Sequence, residues 1–470
     1  MTMALNLKLD RSVKRSLAEQ IYLGVSNAIN DGVLSPGARL PSWQDLATQL
    51  GVARGTVRTA YEKLTAAQLI EASRAAGTRV ARRPRVQAGL GEAVDAGPFI
   101  ATYEEMIRGP AHFQMGVPAI ETYPATLLSR LRARAVRAEA AAPPLYPDPR
   151  GELELRREIA GYLAVARGLA CSPSQVIITG GFGAGLGLTL HVLGLAGCKA
   201  WMEDPGFPWS RKALELGGLS LAHIPVDGDG IDVDGGLRLH ADAKLVLVTP
   251  GQQAPLGGAL SLDRRLRLLE WAAAENSWIV EDDYLSELQL SGRAAPALAS
   301  LDRAGRVIHI GSFSKTISPS LRLGFLVAPV ELVPRFAEAA ACLGPPPGPS
   351  IQNAIAEFMR EGHYMRHLRR TKRAYAAKRQ AVLERLRALV PPDQLAAPAL
   401  AVLLKLPAGA CDLRVARELS VFGISPTPLS PWYASSARAE SALLLGVATA
   451  PTKELDRTCE RLVQAINRSA

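Results

Sequence analysis

Apolar residues recur at helical spacing over the first 70 positions, and from about position 113 they come in short solid blocks. In the first stretch Leu17, Ile21, Val25 and Ile29 form one stripe, Leu46, Ala47 and Leu50 a second, and Val57, Tyr61 and Leu64 a third. Such spacing puts apolar side chains on one face of a helix, so three short amphipathic helices are predicted. Ser16, three residues before Glu19, has the form of a capping box, and Ser42, three before Asp45, opens the second helix just after Pro41. Gly51-Val52-Ala53 is a tight turn into the third helix, which makes the pair a helix-turn-helix. Gly77-Thr78, with Arg74 and Arg79 beside it, reads as the tip of a hairpin, a wing next to the helices.

The later blocks, at 176–179, 200–202, 246–249, 277–280 and 307–310, each read as a strand buried on both faces. Helical stretches separate them, so the fold class is α/β with a mostly parallel sheet. A basic helical run at 359–389 then leads to strands at 401–406 and 443–448 and helices at 412–422 and 454–466, a small α+β part. Residues 88–97 are rich in Gly and Ala without a period and read as a tether. The expected organisation is a winged helix at 1–82, a linker at 83–112 with a helical turn near 103–107, a large domain at 113–365 and a small domain at 366–470.

Composition narrows the class. Of 470 residues 48% are hydrophobic and 21% charged, which describes a globular chain. The basic start, Lys8 to Arg15, has no apolar core behind it, and stretches such as 186–197 are too short to span a bilayer. Five scattered cysteines with no CxxC pair fit a reduced, cytoplasmic protein without structural zinc or another metal. Charge is uneven. Residues 1–85 hold 13 Lys and Arg against 6 Asp and Glu, so +7 of the chain's +10 sits there. A basic module on a nearly neutral body points to a polyanion partner for the module, and the outer face of its third helix shows Arg54, Thr56 and Arg58.

The candidate chemistry centres on 311–324, GSFSKTISPSLRLG. Lys315 stands in the loop after a buried strand, where active sites of open α/β sheets lie. A lysine amine whose environment lowers its pKa forms a Schiff base with an aldehyde. Ser312 three before it and Arg322 seven after it suit a phosphate on the same ligand, so the set points to pyridoxal phosphate. Gly180-Gly-Phe-Gly-Ala-Gly185 turns a strand into a helix whose first N–H groups, those of Phe182 and Gly183, can meet a phosphate. Phe207 in Glu-Asp-Pro-Gly-Phe can stack on a planar ring, and Gln252 or Gln253 can hydrogen-bond its hydroxyl. Asp282 can pair with a protonated pyridine nitrogen, and Tyr284 can reach the phenolic oxygen.

Two resemblances tie these pieces together. SLAEQIY, PGARLPS, LATQLGVARGTVRTAYEKL and GTRV are similar, in order and spacing, to the winged helix of GntR-type regulators. This implies DNA contacts from Arg39, Ser42, Arg54, Thr56, Arg58, Gly77 and Thr78, although Gln44 stands where the family commonly has arginine. YPDPRG, EDPGFP, TPGQQAPLG, EDDY and SFSKTISPSLRLG resemble fold type I enzymes of the aspartate aminotransferase superfamily. Both together, over nearly the whole chain, resemble the MocR/GabR family of transcription regulators. The resemblance implies a pyridoxal phosphate cofactor on Lys315, with Asp282, Tyr284, Phe207, Gln253, Ser312, Arg322 and the N–H groups of Phe182 and Gly183 around it. It further implies a homodimer, promoter half-sites on double-stranded DNA, and an amine or amino-acid-like effector sensed through aldimine exchange at Lys315.

Departures keep rivals open. The family mostly has His-Gln at Gln252-Gln253 and often Tyr at Phe207. Aminotransferases place a carboxylate-binding arginine in the strand matching 443–448, and none is there, which argues against turnover on ordinary amino acids. Arg211 or Arg438 could meet an acidic group instead, and Trp432 and Tyr433 could line the pocket. The rivals are an aminotransferase with a DNA-binding appendage and a regulator sensing pyridoxal phosphate itself.

Overall fold

A computed structural model describes residues 15–73, 77–82 and 111–469 except 291 and 293, together with 7, 9, 10, 97, 99, 100, 103, 104 and 109. Arg74 of the expected wing, most of the expected tether and residues 105–107 of its expected helical turn lie outside the described residues. The chain divides into two compact units, Met1–Tyr103 and Glu104–Ala470.

In the first unit the helices are Leu17–Asn30, Trp43–Leu50 and Arg54–Ala66. Ser16 and Ser42 cap the first two, each accepting the N–H three residues on, from Glu19 at 3.3 Å and from Asp45 at 3.1 Å. Gly51 ends the second helix at φ 61°, a conformation that glycine adopts without strain. Ile21, Val25, Leu46, Val57, Ala60 and Leu64 meet in one core, and the Tyr61 hydroxyl donates to Pro41 O at 2.9 Å. Ile70–Ser73 pairs antiparallel with Gly77–Val80, Ser73 opposite Gly77. Gly77 and Thr78 therefore open the second strand of the hairpin instead of forming its tip. Residues 37–40 run alongside that strand, with Gly37 N bonded to Val80 O and Leu40 N to Thr78 O, both at 2.9 Å.

The second unit is built on an eight-stranded sheet. Across it the order is Val176–Thr179, Gly324–Val327, Val307–Ser312, Trp278–Asp283, Leu245–Val248, Lys199–Asp204, Ser220–Asp227 and Gly230–Ile231. The four contacts from Val307–Ser312 through to Ser220–Asp227 are parallel, whereas Gly324–Val327 runs antiparallel to both its neighbours. Strands with no solvated face read as solid apolar runs, and all four residues of Val176–Thr179 and of Leu245–Val248 are buried. Helices cover both faces. A second sheet of four antiparallel strands, Leu395–Ala396, Ala401–Lys405, Ala442–Gly446 and Thr427–Pro428, packs with helices Asp412–Ser420 and Leu455–Ser469. The basic run is two helices, Pro349–Arg360 and His363–Arg387, split at Gly362, whose φ of 68° is left-handed. No helix among the described residues is long and apolar enough to cross a membrane.

Candidate functional site

Three strands end at one place. Gly324 lies opposite Thr179 on one side and Ser312 on the other. The glycine turn that follows Thr179, the Ser312–Lys315 loop and the Arg322 loop thus converge at one end of the sheet. The approach needs glycine: a Cβ at Gly324 would stand 2.8 Å from Gly181 Cα and 2.9 Å from Gly311 O. Gly181 has φ 101°, no side chain caps the helix Phe182–Leu193, and the space beside Gly183 is open. A helix N-terminus left this way presents N–H groups and the positive end of its dipole to an anion. Ser312 Oγ accepts from Ser314 N at 3.1 Å and donates to Ser314 Oγ at 2.9 Å, which tightens the turn before Lys315. Arg322 sits at φ 47°, left-handed for a residue with a side chain.

Lys315 is half-buried and donates from Nζ to Gly116 O at 2.7 Å. Burial holds its ammonium below the usual lysine value, and Asp282 opposes that shift. On the neighbouring strand Asp282 is 7% exposed, so burial, with Asp283 and Glu203 near, pushes its carboxyl well above the carboxylate range. Strand alternation sends its neighbours to the other face. There Glu281 accepts from Leu298 N at 2.7 Å and Ala299 N at 2.9 Å and meets His309 Nδ1 at 3.0 Å. Asp283 meets Arg167 Nε at 2.7 Å on that same side. Tyr284 follows the strand, its hydroxyl raised by burial and then by Asp282. The residues present therefore suit a planar, phosphorylated pyridine: a lysine amine held below its usual value, a buried carboxyl that feels its charge, and an uncapped glycine turn next to the loop that carries the exposed Arg322.

Other predicted residues are placed differently. Phe207 precedes the helix Pro208–Leu216 and lies 5.6 Å from the Trp432 ring. The Gln253 amide is spent on its surroundings, donating to Pro205 O and Ala254 O at 2.8 Å each and to Glu203 Oε2 at 3.4 Å, and accepting from Leu256 N at 3.0 Å. Gln252 donates to Leu285 O at 2.6 Å. Arg211 donates to the carbonyls of Trp432 and Tyr433, and the strand Ala442–Gly446 carries only buried apolar residues. Glu203 and Gly116 were not singled out beforehand. Glu203 is buried beside Thr249 and Gln253, its carboxyl raised to about 7 by burial, and the signal for it was its place at a strand end. Gly116 had no signal, because its carbonyl and not its side chain meets Lys315.

In the first unit Arg39, Arg54 and Arg58 are exposed and Thr56 is half-buried. Arg58 Nε pairs with Glu62 at 2.9 Å. Ser42 is occupied with its cap, its hydroxyl also donating to Asp45 Oδ2 at 2.7 Å. The Arg39 guanidinium comes within 3.4 Å of where a Gly77 Cβ would stand, so Arg39 and the start of the second hairpin strand lie together.

Fold and site define an aminotransferase-like domain carried on a winged helix. Residues 122–462 match the aminotransferase class I and II family, and 17–80 the bacterial regulatory proteins of the gntR family. A probable rhizopine catabolism regulatory protein, MocR, from Rhizobium meliloti is 35% identical over 80% of this chain and 78% of its own. The pyridoxine biosynthesis transcriptional regulator PdxR of Corynebacterium glutamicum is 34% identical over 82% of this chain and 81% of its own. The transcriptional regulator TauR of Rhodobacter capsulatus is 35% identical over 78% and 79%. Among solved structures, the α-aminoadipate aminotransferase LysN of Thermus thermophilus aligns at TM-score 0.69, 28% identity, 78% of this chain and 94% of its own. An archaeal alanine:glyoxylate aminotransferase aligns at TM-score 0.70, 26% identity, over 79% and 94%. The chain belongs to the MocR family of GntR-type transcription regulators, DNA-binding proteins with an aminotransferase-like domain. That domain implies pyridoxal phosphate as its cofactor.

Proposed function

We propose that this regulator holds pyridoxal phosphate on Lys315 and changes its DNA binding when a small amine competes with Lys315 for it. In this reading Ser312, Arg322 and the N–H groups of Phe182 and Gly183 hold the phosphate, and Asp282 faces the pyridine nitrogen. Tyr284 reaches the ring oxygen, and Phe207 covers one ring face. Bound there, the cofactor supplies an aldehyde for which amines can compete. Lys315 contributes an amine that burial keeps easily deprotonated, and Gly116 O gives the free amine a place to rest. Asp282, buried and close enough to feel the charge of Lys315, keeps a proton available at the ring. The observation that carries the reading is the register of Thr179, Gly324 and Ser312, which brings glycine turn, lysine loop and arginine loop to one point.

The surroundings of the site bear on the effector. Arg211 is already bonded to two carbonyls, and Ala442–Gly446 offers no cation. This favours an amine without an α-carboxylate, or pyridoxal phosphate itself, over an ordinary amino acid; one relative is named for pyridoxine biosynthesis. The family resemblance supports a homodimer, and in this reading Leu145 and Tyr146, 81% and 103% exposed, are candidates for its interface. Borohydride trapping tests the lysine. Reduced protein should carry the pyridoxyl group on the Lys315 peptide alone, and Lys315→Ala should bind the cofactor without a reducible bond. Recovery on another lysine overturns the assignment.

A further inference from the structure

The helix His363–Arg387 holds the second concentration of positive charge in the chain. Residues 362–383 contain Arg366, Arg369, Arg370, Lys372, Arg373, Lys378 and Arg379 and no Asp or Glu. That is +7, while everything after residue 85 sums to +3, so the remaining body is negative by 4. The cations are ordered. Arg366, Arg369, Arg370 and Arg373 are spaced i, i+3, i+4, i+7, and all four are exposed. Tyr364, His367, Leu368, Thr371 and Tyr375 occupy the opposite, buried face.

A solvated helix face normally mixes its charges, and this molecule does so elsewhere. Arg58 pairs with Glu62, Arg157 with Glu154, Lys212 with Glu215, and Arg385 with Asp456 and Glu460. None of these four arginines pairs with a carboxylate among the described residues, whereas Lys378 further along the helix pairs with Glu121. Arg366 bonds Glu361 O and His363, and Arg370 bonds the carbonyls of Glu121 and Thr122. Arg369 and Arg373 make no described bond. Like charges three and four residues apart destabilise a helix on their own, and a polyanion lying along the stripe would reverse the sign of that interaction. Four arginines, not lysines, suit phosphate, because the guanidinium fork bonds two oxygens at once.

We propose that this arginine stripe on the aminotransferase-like domain contacts the phosphate backbone of DNA, adding a sequence-independent anchor to the winged helix. The proposal rests on DNA binding by the winged helix, which the family supplies. Each neutralised phosphate contributes about 0.9 to the slope of log Kd against log salt.

The test uses the full-length protein, its promoter fragment and an unrelated duplex of equal length, titrated over a salt series. Arg369→Ala/Arg373→Ala should lower the slope by about 2 units on both duplexes and leave their affinity ratio unchanged. Arg369→Lys/Arg373→Lys should restore most of the slope, and the thermal melt should match wild type for both pairs. Arg54→Ala serves as the winged-helix control and should lower the slope by about 1. An alanine pair with the wild-type slope overturns the proposal even while Arg54→Ala still lowers it. Loss of binding to phosphatidylglycerol vesicles with DNA slopes unchanged would assign the stripe to a membrane surface and overturn it as well. Wild type that binds neither duplex overturns the winged-helix reading and this one together.

Discussion

At φ 47°, Arg322 is in a region where a side chain costs on the order of 1 kcal/mol. A left-handed loop residue next to an uncapped helix end, its side chain exposed, fits the phosphate role proposed for Arg322. Arg322→Gly should leave the cofactor-free protein as stable, or more stable by about 1 kcal/mol. It should also remove charge-assisted bonds worth about 1.5–3 kcal/mol, so pyridoxal phosphate affinity should fall roughly 10- to 100-fold. Fluorescence titration with thermal melting separates the two effects; a destabilised variant with full affinity would contradict the role. Glu203 gives a pH signature. Its carboxyl is raised to about 7 by burial, so the folded state keeps a proton that the unfolded state sheds near the usual carboxylate pKa. Stability is therefore lost as pH climbs through that window, up to about 3 kcal/mol above it. Glu203→Gln should barely change urea unfolding of the cofactor-free protein at about pH 5 and should stabilise it at about pH 8. Equal destabilisation at both pH values would show that Glu203 is needed charged. The sequence pointed to Asp282 and Lys315 by position at strand ends. It could not show that the Gln253 amide is taken up by Pro205 O, Ala254 O and Glu203, because two of those partners are backbone carbonyls, which every residue has, and two come from a distant segment.

Among the elements, the helix Arg54–Ala66 lacks what the two before it have. Ser16 and Ser42 accept first-turn N–H groups, whereas Ala53 offers no side-chain cap. Ala53→Ser should stabilise the first unit by about 1 kcal/mol. Circular dichroism melts of the full chain should show a higher first transition, with promoter affinity preserved since no charge changes; an unchanged melt would mean the new hydroxyl makes no cap bond. Strands such as Val176–Thr179 were legible in sequence because burial on both faces leaves a solid apolar run. The antiparallel direction of Gly324–Val327 was not, since a run of Gly-Phe-Leu-Val has the same pattern either way round. The break at Gly362 was hidden for a related reason. Apolar residues lie on both sides of it, Ile355 and Phe358 before and Tyr364 and Leu368 after, and one left-handed glycine separates the two helices.

At the scale of the molecule, charge and fold divide alike: a basic winged helix, then a larger unit whose sheet end gathers the lysine, the carboxyl and the glycine turn. That division was legible from composition and motif order, because both units carry their signatures in contiguous segments. The effector was not, since the partners of a candidate such as Arg211, the carbonyls of Trp432 and Tyr433, come from a distant segment. The central claim is that amine exchange at Lys315 governs DNA binding, and only a ligand with unequal affinity for two conformations can do this. The direct measurement is a promoter-binding titration of the cofactor-loaded protein with a panel of primary amines, repeated after borohydride has fixed the cofactor to Lys315. At least one amine should shift promoter affinity of the untreated protein, and the shift should vanish after reduction, with basal affinity retained. A shift of equal size before and after reduction would contradict the claim.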